Sequence, residues 1–244
     1  MTRKEYSLSD VEKTLQLKTW WAAFAILPFA KRTALYIANR TNITPDQMTL
    51  AAFVLRITVG LLFLNGSYQA LIIGAVLFEF AYMLDCVDGS IARLKGKGTE
   101  RGRYLDHLSD IIGGSFCILA LCLGSAAIES TALCIGLIFL YASEYGVTYF
   151  LNNIIKTQKK EAKEQSKPGI IIKSFMSYRD FFFKKNFKSF ISLPDFEAIT
   201  FFIFPLLNKA GEGLKVGFVL LVIVVLYKVV SGMVSISSYE EKFP

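Results

Sequence analysis

Asp85-Cys86-Val87-Asp88-Gly89-Ser90-Ile91-Ala92-Arg93, then eight residues, then Gly102-Arg103-Tyr104-Leu105-Asp106-His107-Leu108-Ser109-Asp110 is the stretch on which the fold turns. Four aspartates lie where two apolar runs meet a basic loop. Asp85 and Asp88 are three apart, and Asp106 and Asp110 are four apart, so on helices each pair shares one face. Tyr68–Leu94 and Gly102–Gly124 are each long and apolar enough to span hydrocarbon of ~30 Å, which takes about 20 residues. The link between them is short. The two helices are therefore expected to be antiparallel neighbours, with the carboxylate pairs at similar depth and facing each other.

Working outward, the whole chain reads as a membrane protein. It has 244 residues, of which 53% are hydrophobic and 19% charged, against about 45–50% and about 25% in soluble domains. Mean hydropathy is +0.45. Cys86, Cys117, Cys122 and Cys134 lie in apolar runs without paired spacing, so neither a disulfide framework nor a zinc site is indicated. Four further segments match the spanning length: Asp46–Asn65, Ile128–Ile155, Ile191–Leu207 and Leu214–Ser237. Thr44 is placed to cap the first, with Pro45 at its first helical position. Residues 17–40 are apolar around Trp20-Trp21 but contain Pro28 and Lys31-Arg32. Spanning would bury that dibasic pair. The segment reads as an interfacial amphipathic helix with its tryptophans at headgroup level. The expected fold class is an all-α integral membrane protein. Six transmembrane helices, over 45–240, follow a cytoplasmic N-terminal segment, 1–44, that holds the interfacial helix.

The net charge of +7 has a direction. Residues 1–44 hold seven Lys and Arg, 93–103 hold five, and 156–188 hold ten. The connectors on the opposite side hold only Lys209 and Lys215. The positive-inside rule thus puts both termini, the loop after span two and the loop 156–190 in the cytoplasm. All four aspartates fall on that side. The 156–190 loop mixes its basic residues with Phe175, Tyr178, Phe181, Phe182, Phe183, Phe187 and Phe190. That mixture suits an anionic membrane surface; beside a bilayer, nucleic acid is not an expected partner.

Four close carboxylates repel strongly at low dielectric and are tolerable with cations among them. Oxygen-only ligands suit Mg²⁺ or Mn²⁺, and two such ions suit chemistry on a phosphate. Gly89 and Ala92 leave room for a nucleotide close to the helix backbone, and Gly102 permits a tight entry into span three. Arg93, with Lys95, Lys97, Arg101 and Arg103 nearby, can neutralise phosphate oxygens. His107, the lone histidine, is set roughly 100° round the helix from Asp106. Eight fixed residue types at about 5% usage each coincide by chance on the order of once in 10¹⁰ windows.

The pattern D-x2-D-G-x2-A-R-x8-G-x3-D-x3-D resembles the signature of the CDP-alcohol phosphotransferase (CDP-alcohol phosphatidyltransferase) family, and all eight positions match. The six-span topology agrees with that family. Ile43-Thr44-Pro45-Asp46-Gln47-Met48-Thr49 resembles the family's opening of span one, with Asp46 where Asn usually follows Pro. The resemblance implies that Asp85, Asp88, Asp106 and Asp110 hold two Mg²⁺ or Mn²⁺ ions, and that Asp110 is also the catalytic general base. It implies that Asp85, Gly89, Ala92, Arg93, Gly102 and Thr49 contact the nucleotide part of a CDP- or CMP-linked donor. The acceptor, a lipid or a polar alcohol, attacks through its hydroxyl, a substituted phosphate or phosphonate group is transferred, and CMP leaves. Such an enzyme serves phospholipid, glycolipid or phosphonolipid biosynthesis, and the resemblance implies a homodimer.

Apart from the aspartate cluster, ionisable residues set inside the expected spans include Arg56, Glu79, Glu144, Glu197 and Lys228. Intramembrane charge points to function. Glu144 and Glu197 are candidate contacts for a cationic headgroup, and Arg56 and Lys228 for a phosphate or carboxylate of the acceptor. Glu79 lies about 180° round its helix from Asp88 and is set apart from the site. Two rival readings exist. A Mg²⁺-dependent prenyltransferase would need a second aspartate-rich motif, but Asp180 and Asp195 form no pair. A divalent-cation transporter would want its acids near the bilayer midplane, whereas these lie at the border.

Overall fold

The computed structural model describes residues 5–15, 18–124, 131–161, 177–178 and 181–240. The protein is all-helical apart from a single bridge between Lys18 and Phe187 among the described residues. Helix α1 (Leu8–Thr14) precedes a π-helical stretch, Ala22–Ile26, that runs into α2 (Leu27–Arg40). Then come α3 (Pro45–Asn65), α4 (Tyr68–Leu94), α5 (Glu100–Gly124) and α6 (Thr131–Glu161). After the basic-aromatic loop follow α7 (Leu193–Glu197) and α8, which we number for Ala210–Glu240.

Helix α3 begins where its sequence predicts. Thr44 Oγ1 accepts from the Gln47 N–H at 3.3 Å and Gln47 Oε1 accepts from the Thr44 N–H at 3.0 Å, a reciprocal cap. It ends at Gly66, whose φ of 70° favours glycine. Helix α3 packs against both α4 and α5. Val59 and Phe63 of α3, Phe78 of α4, Tyr141 of α6 and Phe196 and Phe201 of the α7 region share one buried core.

This is an integral membrane protein in which, among the described residues, five helices are long and apolar enough to cross a bilayer: α3, α4, α5, Thr131–Ile154 of α6 and Ala210–Val234 of α8. The expected fifth span, 191–207, differs. It is α7, a π-helical stretch Ala198–Ile203 and a last turn Phe204–Leu206. That is roughly 21 Å at 1.5 Å per residue, short of the hydrocarbon thickness. Its ends are set locally. Asp195 Oδ2 accepts from the Ser192 N–H and hydroxyl at 2.8 and 2.9 Å, and Asn208 adopts a left-handed φ of 57°. The segment nevertheless carries the chain from one end of the bundle to the other. The Leu206 carbonyl accepts from Tyr68 at the start of α4, at 3.0 Å. Along α6 and α8, Gly136 lies against Phe218, Glu144 and Thr148 meet Lys228, and Leu151 lies against Gly232. Helices α6 and α8 are therefore parallel, with the short segment as the return path.

The fourth span's expected start at Ile128 lies outside the described residues, as do 162–176 and 179–180 of the 156–190 loop. Helix α2 is amphipathic. Ala30, Ala34, Ile37 and Ala38 are buried, while Phe29 and Tyr36 are exposed. The two tryptophans do not behave alike. Trp20 packs on Phe182 and Phe187, with ring centroids 5.9 and 5.3 Å away. Trp21 turns inward, its indole N–H donating to Glu79 Oε2 at 2.9 Å and its backbone N–H to Asp195 Oδ1 at 2.7 Å. An indole N–H in an apolar setting needs an acceptor, and Glu79 supplies it.

The other Glu79 oxygen is buried with no hydrogen-bond partner among the described residues. Trp21→Phe therefore strips the carboxyl of its indole donor. The expected loss is about 1–3 kcal/mol, read by denaturation in detergent, with a smaller loss for Trp20→Phe.

Candidate active site

Helices α4 and α5 bring the two aspartate pairs together. Asp85, Asp88 and Asp106 each place a carboxylate oxygen within 4.8 Å of the others. Asp106, His107 and Asp110 form a second such set. Asp106 is common to both, so the four carboxylates form one continuous cluster. His107, set aside by its helical angle, comes within reach because its ring extends from the helix towards both flanking aspartates. This donor set, rich in carboxylate oxygen with one imidazole nitrogen at its edge, fits a hard divalent cation.

Helix α3 supplies the polar contacts that hold the cluster. Thr49 donates its hydroxyl to Asp88 Oδ2 at 2.6 Å, and both residues are buried. Thr49, expected as a nucleotide contact, orients a carboxylate of the cluster. Arg56, one turn-pair deeper on the same helix, forms an ion pair with Asp110 Oδ1. Expected as an acceptor contact, it is 4% exposed and already engaged. Gly113 makes room for it, since a Cβ there would lie 2.9 Å from Arg56 Cδ.

The residues expected around the nucleotide gather at the same end. The Arg93 guanidinium folds over Gly89, 3.1 Å from where a Cβ would stand. Arg93 Nε donates to the Thr14 carbonyl at 2.7 Å, a contact from the N-terminal segment with no signal in sequence. Ala92 is half-buried on the same helix. The Gly102 N–H donates to Thr99 Oγ1 at 2.9 Å. A Cβ on Gly102 would lie 3.1 Å from Asp46 Oδ1, so α3 and the start of α5 meet there.

Glu144 and Glu197, the candidate headgroup contacts, are met from within the protein. Glu144 pairs with Lys228. Glu197 Oε1 accepts from the Tyr141 hydroxyl at 2.5 Å. Sequence reasoning missed Tyr141, since a single tyrosine in an apolar run carries no periodic signal. It also missed a cavity of about 310 Å³ between the ends of α6 and α8 and the segment before α7, lined by Thr148, Asn152, Lys188, Ser189, Tyr227 and Lys228 among others. The Lys188 N–H donates to the Lys18 carbonyl at 2.8 Å. Burial, reinforced by Lys228, lowers the Lys188 pKa below the ordinary lysine value, with Glu144 and Asp195 opposing.

Residues 42–230 match the family described as CDP-alcohol phosphatidyltransferase. The chain belongs to this family. It is similar to the phosphatidylinositol phosphate synthase of Corynebacterium glutamicum, 37% identical over 73 residues, which covers 30% of this chain and 32% of that protein. It is also similar to the archaetidylinositol phosphate synthase of Methanothermobacter thermautotrophicus, 29% identical over 115 residues, or 47% of this chain and 55% of that protein. The matched stretch thus spans between a third and just over half of these relatives. Among solved structures, Mycobacterium tuberculosis phosphatidylinositol phosphate synthase with CDP-DAG bound aligns over 84% of this chain and 94% of that one. Its TM-score is 0.49 and its identity 19%.

Thr49→Val keeps the shape but removes the donor to Asp88. By the behaviour of outer-shell partners, affinity for Mn²⁺ is expected to fall about 10-fold or more, measured by Mn²⁺ titration of the purified protein.

Proposed function

We propose that this family member is a membrane transferase that moves a substituted phosphate group from a CDP-linked donor to an acceptor hydroxyl and releases CMP. One observation carries the reading: Asp85, Asp88, Asp106 and Asp110 converge from two antiparallel helices at the end of the bundle that bears Arg93. These four would hold two Mg²⁺ or Mn²⁺ ions, which when bound polarise the diphosphate and stabilise charge on the departing phosphate. Asp110 takes the proton of the acceptor hydroxyl. The hydroxyl oxygen bonds to the phosphorus of the transferred group, the bond from that phosphorus to the CMP oxygen breaks, and CMP leaves with the electron pair. Arg93, lying over Gly89, offsets phosphate charge. Gly89, Ala92 and Gly102 leave the nucleotide space near the backbone, and Asp85 faces it. Thr49 acts through Asp88.

The acceptor in this reading is a polar, phosphorylated polyol, and the donor a CDP-linked lipid. Two of the named relatives are inositol phosphate lipid synthases. The cavity between the ends of α6 and α8 and the segment before α7 also presents Lys188 and Lys228 with hydroxyl groups, which suits a phosphate better than a cationic head. A prenyltransferase is disfavoured because Asp195, one of two aspartates after Asp110, is committed to the α7 cap and Trp21. A homodimer, six crossings with 193–206 as the shortest, an interfacial α2 and a cytoplasmic active site complete the proposal. The parallel course of α6 and α8 supports the crossing count, and the basic loops support the orientation.

Purified protein incubated with Mg²⁺ and a panel of CDP-alcohols should release CMP only when donor and acceptor match; release from none of them would sink the proposal. Asp110→Asn is expected to keep donor binding and to lose turnover by about 10²-fold or more. Lys188→Met should raise KM for a phosphorylated acceptor without altering donor affinity. Because its pKa is lowered, Lys188 loses its charge at a lower pH than an ordinary lysine, so acceptor KM should rise early with pH in the wild type and stay flat in the variant.

A further inference from the structure

Arg56 has no place in the transfer chemistry above, yet its guanidinium is buried against the aspartate cluster. Its side chain is 5% exposed and its partner Asp110 is 16% exposed. The ion pair joins Arg56 to Asp110 Oδ1. Asp85 from α4, Glu197 from α7 and Tyr141 from α6 also lie within electrostatic reach of the guanidinium. The surroundings are built for it. Gly113, one turn after Asp110, is where a side chain would collide with the Arg56 stem. Gly114 beside it makes the same room for Tyr141, whose hydroxyl holds Glu197. An arginine entering a carboxylate site has two effects. It neutralises one negative charge while cations are absent, and it restrains a carboxylate that could otherwise rotate.

We propose that Arg56 is a positioning residue and the resident counter-ion of Asp110, pinning Oδ1 so that Oδ2 faces the cluster and weakening the site's attraction for divalent cations to a level that permits their exchange. The inference rests on the metal-centre reading of the four aspartates. Arg56 repels an incoming cation, and its removal leaves four carboxylates with no internal counter-charge. The same removal frees the Asp110 carboxylate to turn, so the proton-accepting oxygen is no longer aimed. The proposal therefore requires two effects of opposite sign from one substitution, which a residue that only supports the fold cannot give.

The test is Mn²⁺ titration followed by electron paramagnetic resonance on the purified, donor-free protein, beside steady-state CMP release. Arg56→Gln should bind Mn²⁺ at least fivefold more tightly than wild type, yet turn over at least tenfold more slowly with donor KM within threefold. Arg56→Lys, which keeps the charge but not the fork, should return Mn²⁺ affinity to within threefold of wild type and only part of kcat. Unchanged or weaker Mn²⁺ binding in Arg56→Gln, or wild-type kcat, overturns the proposal while leaving the metal centre intact. An Asp88→Asn control separates the cases. If wild type and Asp88→Asn both bind no Mn²⁺, the metal-centre reading fails and this inference with it. If Arg56→Gln unfolds in detergent, Gly113→Ala takes its place, since it displaces the arginine without removing its charge. Gly113→Ala should reduce kcat at least fivefold, and wild-type kcat there overturns the pinning.

Discussion

Four carboxylates held within a few ångströms at the edge of a low-dielectric bundle repel one another, and much of this structure can be understood as an answer to that repulsion. At an effective dielectric of about 20, two unit charges 4 Å apart interact by about 4 kcal/mol. Such a cluster persists only where each member is oriented and partly neutralised. Helix α3 does both. It lies against α4 and α5 together, and its Thr49 and Arg56, two turns apart on one face, reach Asp88 and Asp110 respectively. The reciprocal cap at Thr44 and Gln47 fixes where α3 starts, and so fixes the depth at which those two side chains emerge.

The same logic extends through the bundle. The five intramembrane charges singled out in the sequence are each met by a group from a different element. Arg56 meets Asp110, Lys228 meets Glu144, Tyr141 meets Glu197 and Trp21 meets Glu79. In an apolar medium an unpaired polar group is costly, so these contacts act as ties between helices whose apolar surfaces alone would slide with little preference. Two of them also shape the site. The Lys228–Glu144 pair ties α6 to α8 beside the cavity that Lys188 and Tyr227 also line. The Trp21 contacts fasten the N-terminal segment near α4 and α7, where Thr14 reaches Arg93 and Lys18 reaches Lys188.

Much of the site was legible because its information is local. Spacings of three and four put Asp85 with Asp88 and Asp106 with Asp110 on single helical faces, and a short link forces the two helices to lie side by side. The start of α3 was readable for the same reason, since Thr44, Pro45 and Gln47 satisfy backbone groups within one turn. The length expected of the fifth span overshot because its apolar content extends beyond its helix. Hydropathy registers composition, whereas the Ser192–Asp195 cap and the left-handed Asn208 decide where the helix stops. His107 comes near Asp106 and Asp110 because helical angle describes where a Cβ points, and a long ring on an exposed helix end is not bound by it.

The sequence by itself therefore determined the class of the protein, its membrane character, the aspartate cluster and the family whose signature it carries, because periodicity and composition are properties of neighbouring residues. Tertiary structure alone decided which partner each buried charge takes. Arg56 finds Asp110 54 residues away, and Lys228 finds Glu144 84 residues away. Such pairings depend on how helices distant in the chain rotate and slide against one another. That is settled by the packing of the whole bundle, through glycines such as Gly113 that open space for one side chain and not another.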